Sequence, residues 1–269
     1  MSSLPCDIIV AMNTNKISYN KYVAEIIGTL MLVLVVALSG AGLSAIVFAG
    51  LVLAFIVYLF GDISGAHVNP AFTIAALSMK KIKWQDAVLY ICSQLIGAGL
   101  ALIILKNIPD FKFTDINALG SASAWKIFMA EIVGMIIFSF GFSAVLYKKT
   151  TKSNSGFIVG MGLFFGLLAA NIITGGIGVL NPAVAIGTNM LNWATIIAPI
   201  IGALIGTWLY RFMVIGSFCG CDACCGKSCG GCGTCKKSEV CCGSSCSSDA
   251  VSEVVSEPVI VVEEVEIIN

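Results

Sequence analysis

The sequence predicts an all-α integral membrane protein, with six transmembrane helices and two re-entrant half-helices arranged as an inverted repeat. Three observations carry this prediction. The chain is 58% hydrophobic and only 11% charged, whereas a soluble domain carries about a quarter charged residues. The tripeptide Asn-Pro-Ala occurs twice, at Asn69-Pro70-Ala71 and Asn181-Pro182-Ala183, each time inside an apolar stretch and after a glycine-bearing approach. The segment from Lys21 to Gly28 also resembles that from Lys126 to Gly134, and each opens a span, so the chain reads as two halves.

The elements follow in order. Residues 1–20 are polar and lack the short apolar region and small-residue cleavage site of a signal peptide, so the first apolar segment is read as a retained span. No charge occurs for 36 residues from Ile26 to Gly61. As a single helix that run would be about 54 Å long, well beyond a hydrocarbon core of roughly 30 Å. It must break, and Ser39-Gly40-Ala41-Gly42 is the place. Six spans result, at about Tyr22–Ser39, Leu43–Gly61, Ala87–Leu105, Ile127–Leu146, Gly156–Thr174 and Trp193–Ile215. Two shorter apolar segments remain, Ala71–Met79 and Ala183–Leu191. With its Asn-Pro each is about 15 Å long as helix, half a bilayer.

Three spans per half is an odd number, so the second half (about 125–216) enters from the face opposite to the first (about 21–106). Such repeats bring the tips of their broken helices together near the midplane. With the N-terminus placed in the cytoplasm, 12 of the Lys and Arg residues fall inside and 3 outside, which favours that orientation with both termini cytoplasmic. The net charge of zero suggests no nucleic-acid partner.

Asn is a strong N-cap and Pro suits the first helical position, so Asn69 and Asn181 each begin a half-helix. The capping oxygen serves the helix's own backbone, and the side-chain NH2 is left as a donor. Two tips at the midplane then present two donors and two positive dipole ends to one lumen. A single copy of the motif would be an ordinary helix start. Glu25 and Glu131, 106 residues apart, are read as structural carboxylates that accept hydrogen bonds from the irregular backbone before each half-helix. The competing reading makes them, with Asp62 and His67, a proton relay in a coupled transporter.

Residues 20 to 215 resemble the aquaporin, or major intrinsic protein, family. The resemblance rests on Ala24-Glu25-Ile26-Ile27-Gly28-Thr29, Ser64-Gly65-Ala66-His67-Val68-Asn69-Pro70-Ala71, Gln94, Ala130-Glu131, and Pro199 to Ala203 with Tyr210. It implies a homotetramer in the lipid bilayer, each subunit passing water or small neutral solutes (glycerol, urea, ammonia) without catalysis and without a cofactor. The donor-lined tips are the accepted account of how aquaporin-type pores exclude cations. The resemblance also marks a departure. Members carry Arg directly after the second Asn-Pro-Ala, and here that residue is Val184. The other positions of the family's outer constriction fall at Ala49, Gly178 and Ala169, with Asn171 or Ile172 as alternatives to the last. Ala, Ala, Gly and Val form a wide, apolar, uncharged ring, unless a neighbour such as Phe48 or Phe72 plugs it.

His67 is the only histidine. It is read as a packed loop residue, with a pH gate as the sharper alternative. From Phe218 on, ten cysteines occur within 28 residues among Gly, Ser and Lys. This 217–269 segment reads as a disordered cytoplasmic tail, ending in an acidic, Val-rich stretch. Its cysteines suit palmitoylation near the last span, or a thiolate metal site at Cys221, Cys224, Cys229, Cys232 and Cys235. A poorly conducting or gated scaffold or metal sensor acting through this tail is the alternative function.

Overall fold

The computed structural model describes residues 19–113, 123–176 and 178–215. The helices are α1 (Asn20–Leu38), α2 (Leu43–Ser64), α3 (Pro70–Ser78), α4 (Trp84–Lys106), α5 (Ala124–Leu146), α6 (Lys152–Thr174), α7 (Pro182–Gly187) and α8 (Trp193–Tyr210), the last running into a π turn at Arg211–Ile215. Six of them, all but α3 and α7, are long and apolar enough to cross a membrane. The protein is a multi-pass integral membrane protein.

The long charge-free run breaks where the glycines permit it. Gly40 and Gly42 take φ of 80° and 77°, in the left-handed region that side chains avoid. Helix α1 therefore stops at Leu38 and α2 starts at Leu43. Helices α2 and α6 both end on a left-handed glycine, Gly65 (φ 84°) and Gly175 (φ 85°), whose N–H groups donate to Gly61 O and Asn171 O. This C-cap turns the chain into each re-entrant segment.

The two half-helices differ in length. Helix α3 runs for nine residues, close to expectation, but α7 stops at Gly187, four residues short of the expected Leu191. The cause is a closing turn, in which Asn189 takes φ of 57° and Met190 N donates back to Ala185 O at 2.8 Å. The chain must then reach Asn192, whose side chain caps α8 together with Thr195 in a capping box.

Packing repeats between the halves. Helix α1 packs on α2 and α4, and α5 packs likewise on α6 and α8. Each half-helix crosses over, α3 lying on α8 and α7 on α4. Small residues allow these approaches. A Cβ on Gly160 of α6 would lie 2.5 Å from the Gly50 carbonyl oxygen of α2, closer than any real contact. Outward faces carry exposed Val23, Leu51, Phe55, Ile103 and Phe165, as lipid-facing surface does. Trp84, Trp125 and Trp193, also exposed, stand at the first or second residue of their helices, where indole rings favour the interface.

Candidate functional site

The site begins with two strained loops. Ala66, Val68 and Leu180 have φ of 48°, 40° and 54°, the left-handed region where non-glycine residues are uncommon. Their backbone donors turn into the protein, away from water, and need partners. Glu25 supplies these in the first half. Its Oε1 accepts from His67 N (3.0 Å) and Ser64 Oγ (2.7 Å), and its Oε2 from Val68 N (2.7 Å) and Gln94 Nε2 (2.8 Å). Glu131 does so in the second half, where Oε1 accepts from Val179 N and Oε2 from Leu180 N, both at 2.7 Å. Both side chains are fully buried. Each glutamate thus ties down the two residues next to an Asn-Pro-Ala motif.

The asparagines close the arrangement. Asn69 Oδ1 accepts from Ala71 N (2.9 Å), and Asn181 Oδ1 from Ala183 N (2.9 Å) and Val184 N (3.4 Å). The amide groups then cross over. Asn69 Nδ2 donates to Leu180 O at 2.9 Å, and Asn181 Nδ2 donates to Val68 O at 2.8 Å. An NH2 group has two hydrogens, so one per asparagine locks the opposite loop and one remains for the lumen. The reciprocal clamp joins residues more than 110 positions apart. It was not readable from the motif, whose spacing predicts the cap but says nothing about the partner of the amide. The inverted repeat, which brings two tips together, is the signal from which it could have been suspected.

Asn69 and Asn181 line one cavity of about 60 Å³ with His67, Phe138, Leu163 and Leu167 among its walls. At roughly 10–15 Å³ for each probe-sized water, this is room for a short single file. Beyond it lies a second cavity of about 70 Å³ toward Phe111 and Phe113. On the other side a larger vestibule of about 450 Å³ is bordered by Asp62, Lys148 and Lys152 and also reaches His67. The ion pair between Lys152 and Asp62 (2.8 Å) stands exposed at that mouth.

Three of the four constriction residues expected from the sequence, Ala49, Gly178 and Val184, line the midplane cavity. Ala169 does not, and this corrects the expectation. Helix α6 turns Leu163 and Leu167, one turn apart, to the lumen, and at 100° per residue Ala169 points elsewhere. Of the alternatives, Asn171 lines the second cavity and Ile172 is 73% exposed. Phe48 and Phe72 do not plug the lumen, since Phe48 is half exposed and Phe72 is buried against Phe142, ring centroids 4.0 Å apart and nearly parallel.

His67 is buried between Tyr90 and Phe142, with edge-to-face contacts at 5.3 and 5.5 Å. Its Nδ1 lies 3.2 Å from Thr73 Oγ1, and that hydroxyl donates to Asn69 O. Nδ1 therefore carries the proton, and Nε2 is left as an acceptor. Cys221, Cys224, Cys229, Cys232 and Cys235 lie outside the described residues. Among the described residues no cluster of three or more His, Cys, Asp or Glu could hold a metal ion.

Two half-helix tips, donors facing a narrow apolar passage and six spans around it define a membrane channel. The family model described as Major intrinsic protein matches residues 11–210, and the chain belongs to that family of channels, which are not enzymes. It is 34% identical to the Glycerol uptake facilitator protein-like 6 of Lactiplantibacillus plantarum, over 72% of this chain and 97% of that protein. It is 31% identical to the Aquaporin AqpM of Methanothermobacter thermautotrophicus, over 61% of this chain and 74% of that protein. The crystal structure of the aquaglyceroporin from Plasmodium falciparum shares the fold with a TM-score of 0.57 at 20% identity, covering 74% of this chain and 97% of that one.

Proposed function

We propose that this protein is a passive channel for water and small neutral solutes, glycerol foremost, whose selectivity rests on apolar walls with no cationic side chain at the constriction. The observation that carries the reading is Val184. It stands where the family has an arginine, and it lines the same cavity as Asn69, Asn181, Ala49 and Gly178. An apolar wall offers hydrocarbon surfaces a favourable contact and leaves the half-helix tips as the barrier to cations. The relative named for glycerol uptake, matched over almost its whole length, points the same way. Leu167 in place of Ala169 makes the passage narrower than four small residues would.

The subunits form a homotetramer with both termini cytoplasmic, on this reading, and the lysine-rich vestibule faces the cytoplasm. His67 is a wall residue and not a gate. Permeability should change less than about twofold between pH 6 and pH 8, the range in which an unperturbed histidine would titrate.

The test is stopped-flow light scattering on proteoliposomes mixed with hyperosmotic glycerol, against empty liposomes. Fast shrinkage followed by protein-dependent re-swelling is expected. Fast shrinkage alone would mean a pore selective for water, and neither phase above background would sink the channel reading.

A further inference from the structure

The midplane and phenylalanine-side cavities meet at a ring that no motif marks. Val36, Ala45, Ile46, Leu167, Gly178, Thr188 and Met190 line both of them, so the passage from one to the other runs between these residues. Ala49 and Val184 line the midplane cavity only. The step between the cavities therefore lies beyond Ala49 and Val184, and Gly178 is the one position counted from the Asn-Pro-Ala motifs that it includes. Among the described residues shared by the two cavities, Thr188 alone has a polar side chain. The others offer aliphatic surface, the Met190 thioether or bare glycine backbone.

The chemistry of Thr188 is fixed by a local bond. Its hydroxyl donates to Val184 O at 2.7 Å, so its proton is committed and its oxygen remains as an acceptor. The side chains of the ring thus present one acceptor, no strong donor and no charge. An anion finds no partner there. A cation finds one neutral side-chain oxygen, far short of a replacement for its hydration shell. A neutral solute with a hydroxyl or amino donor recovers one hydrogen bond, and its carbon skeleton rests on Ile46, Leu167 and Met190. Water gains less from the ring, because in single file it keeps hydrogen bonds to its neighbours on both sides.

From this arrangement we infer that Thr188 is the specificity-determining acceptor of the pore, selecting neutral hydrogen-bond donors with an apolar skeleton, small polyols above all. The inference rests on the channel reading above and deepens it. It assigns the choice of solute to a residue beyond the second half-helix, at a ring closed by Leu167 and Met190.

The experiment compares glycerol and water permeability in proteoliposomes for wild type, Thr188→Val and Thr188→Ser. Valine removes the hydroxyl at nearly constant volume. It strands no backbone group, because Val184 O keeps the Thr188 N–H at 2.9 Å. Loss of one neutral hydrogen bond should lower the glycerol-to-water permeability ratio by about threefold to tenfold, and serine should restore it. A merely structural role would lower both fluxes together and leave the ratio in place. If valine impairs recovery of the protein, Thr188→Ala serves the same comparison. An unchanged ratio in the hydroxyl-free variant, with wild type conducting glycerol, overturns the inference and leaves the channel reading intact. A wild type that passes water but no glycerol overturns the inference and the preference for glycerol, and leaves a water channel.

Discussion

At the scale of single residues, the two buried glutamates do similar work with unequal support. Glu25 shares its surroundings with Ser64 and Gln94, and Gln94 Oε1 is buried without a partner. If Glu25 were truncated, Ser64 and Gln94 stand nearby as replacement acceptors for the N–H groups of His67 and Val68. Among the described residues, the hydrogen-bond partners of Glu131 are Val179 N and Leu180 N, with no such helper beside them. Glu131→Ala should therefore destabilise the protein more than Glu25→Ala, by about 1–3 kcal/mol for each N–H left unpaired. Thermal unfolding in detergent would show this as the lower midpoint for the Glu131 variant, and the reverse order would refute the account. Val184 invites the opposite kind of change. Val184→Arg would place a long cationic side chain in a cavity of about 60 Å³, and an added barrier of about 1.4 kcal/mol already slows passage tenfold. Glycerol flux in proteoliposomes should fall at least that far, and an unaltered flux would show that Val184 does not line the conducting path.

At the scale of elements, helix contacts decide what the residues can do. Helix α6 approaches α2 so closely that a methyl group on Gly160 would meet the Gly50 carbonyl oxygen at 2.5 Å and Ala54 Cβ at 2.8 Å. Backbone atoms cannot yield as a flexible side chain does. Gly160→Ala should cost about 1–3 kcal/mol from overpacking, whereas Gly99→Ala on α4, with open space around it, should be neutral or slightly stabilising because Ala is the better helix former. Unfolding midpoints of the two variants check this pair, and equal losses would sink it. The same contacts explain what the sequence could tell. Spans, the break at Gly40–Gly42 and both caps at Asn69 and Asn181 follow from local chemistry, so they were legible. The end of α7 depends on a turn closed by Asn189, and the lumen face of α6 depends on how that helix packs against α2 and α5. Neither is local, and counting back from the motif put Ala169 where Leu167 stands.

At the scale of the whole molecule, the inverted repeat turns local caps into a pore. Each amide bridges to the other half, and each half-helix rests on the final span of the half it does not belong to. Neither tip can hold its position without the opposite half, which is why one motif alone would mean little. The lumen so assembled draws its lining from residues between Leu32 and Met190, and the family match ends at residue 210. Everything that conduction requires on this account therefore precedes the cysteine-rich segment. A chain truncated after Gly216, reconstituted beside the full-length protein, should keep its water and glycerol permeability per molecule to within roughly twofold, as removal of a terminal segment usually permits. If the tail instead drives function as a scaffold or metal sensor that opens the pore, the truncated channel will be closed or will lose its response to added thiol-binding metal. Measuring permeability of both chains with and without zinc separates the two. A truncated protein that inserts and remains intact on gel filtration, yet conducts nothing, would overturn the assignment of function to the pore alone.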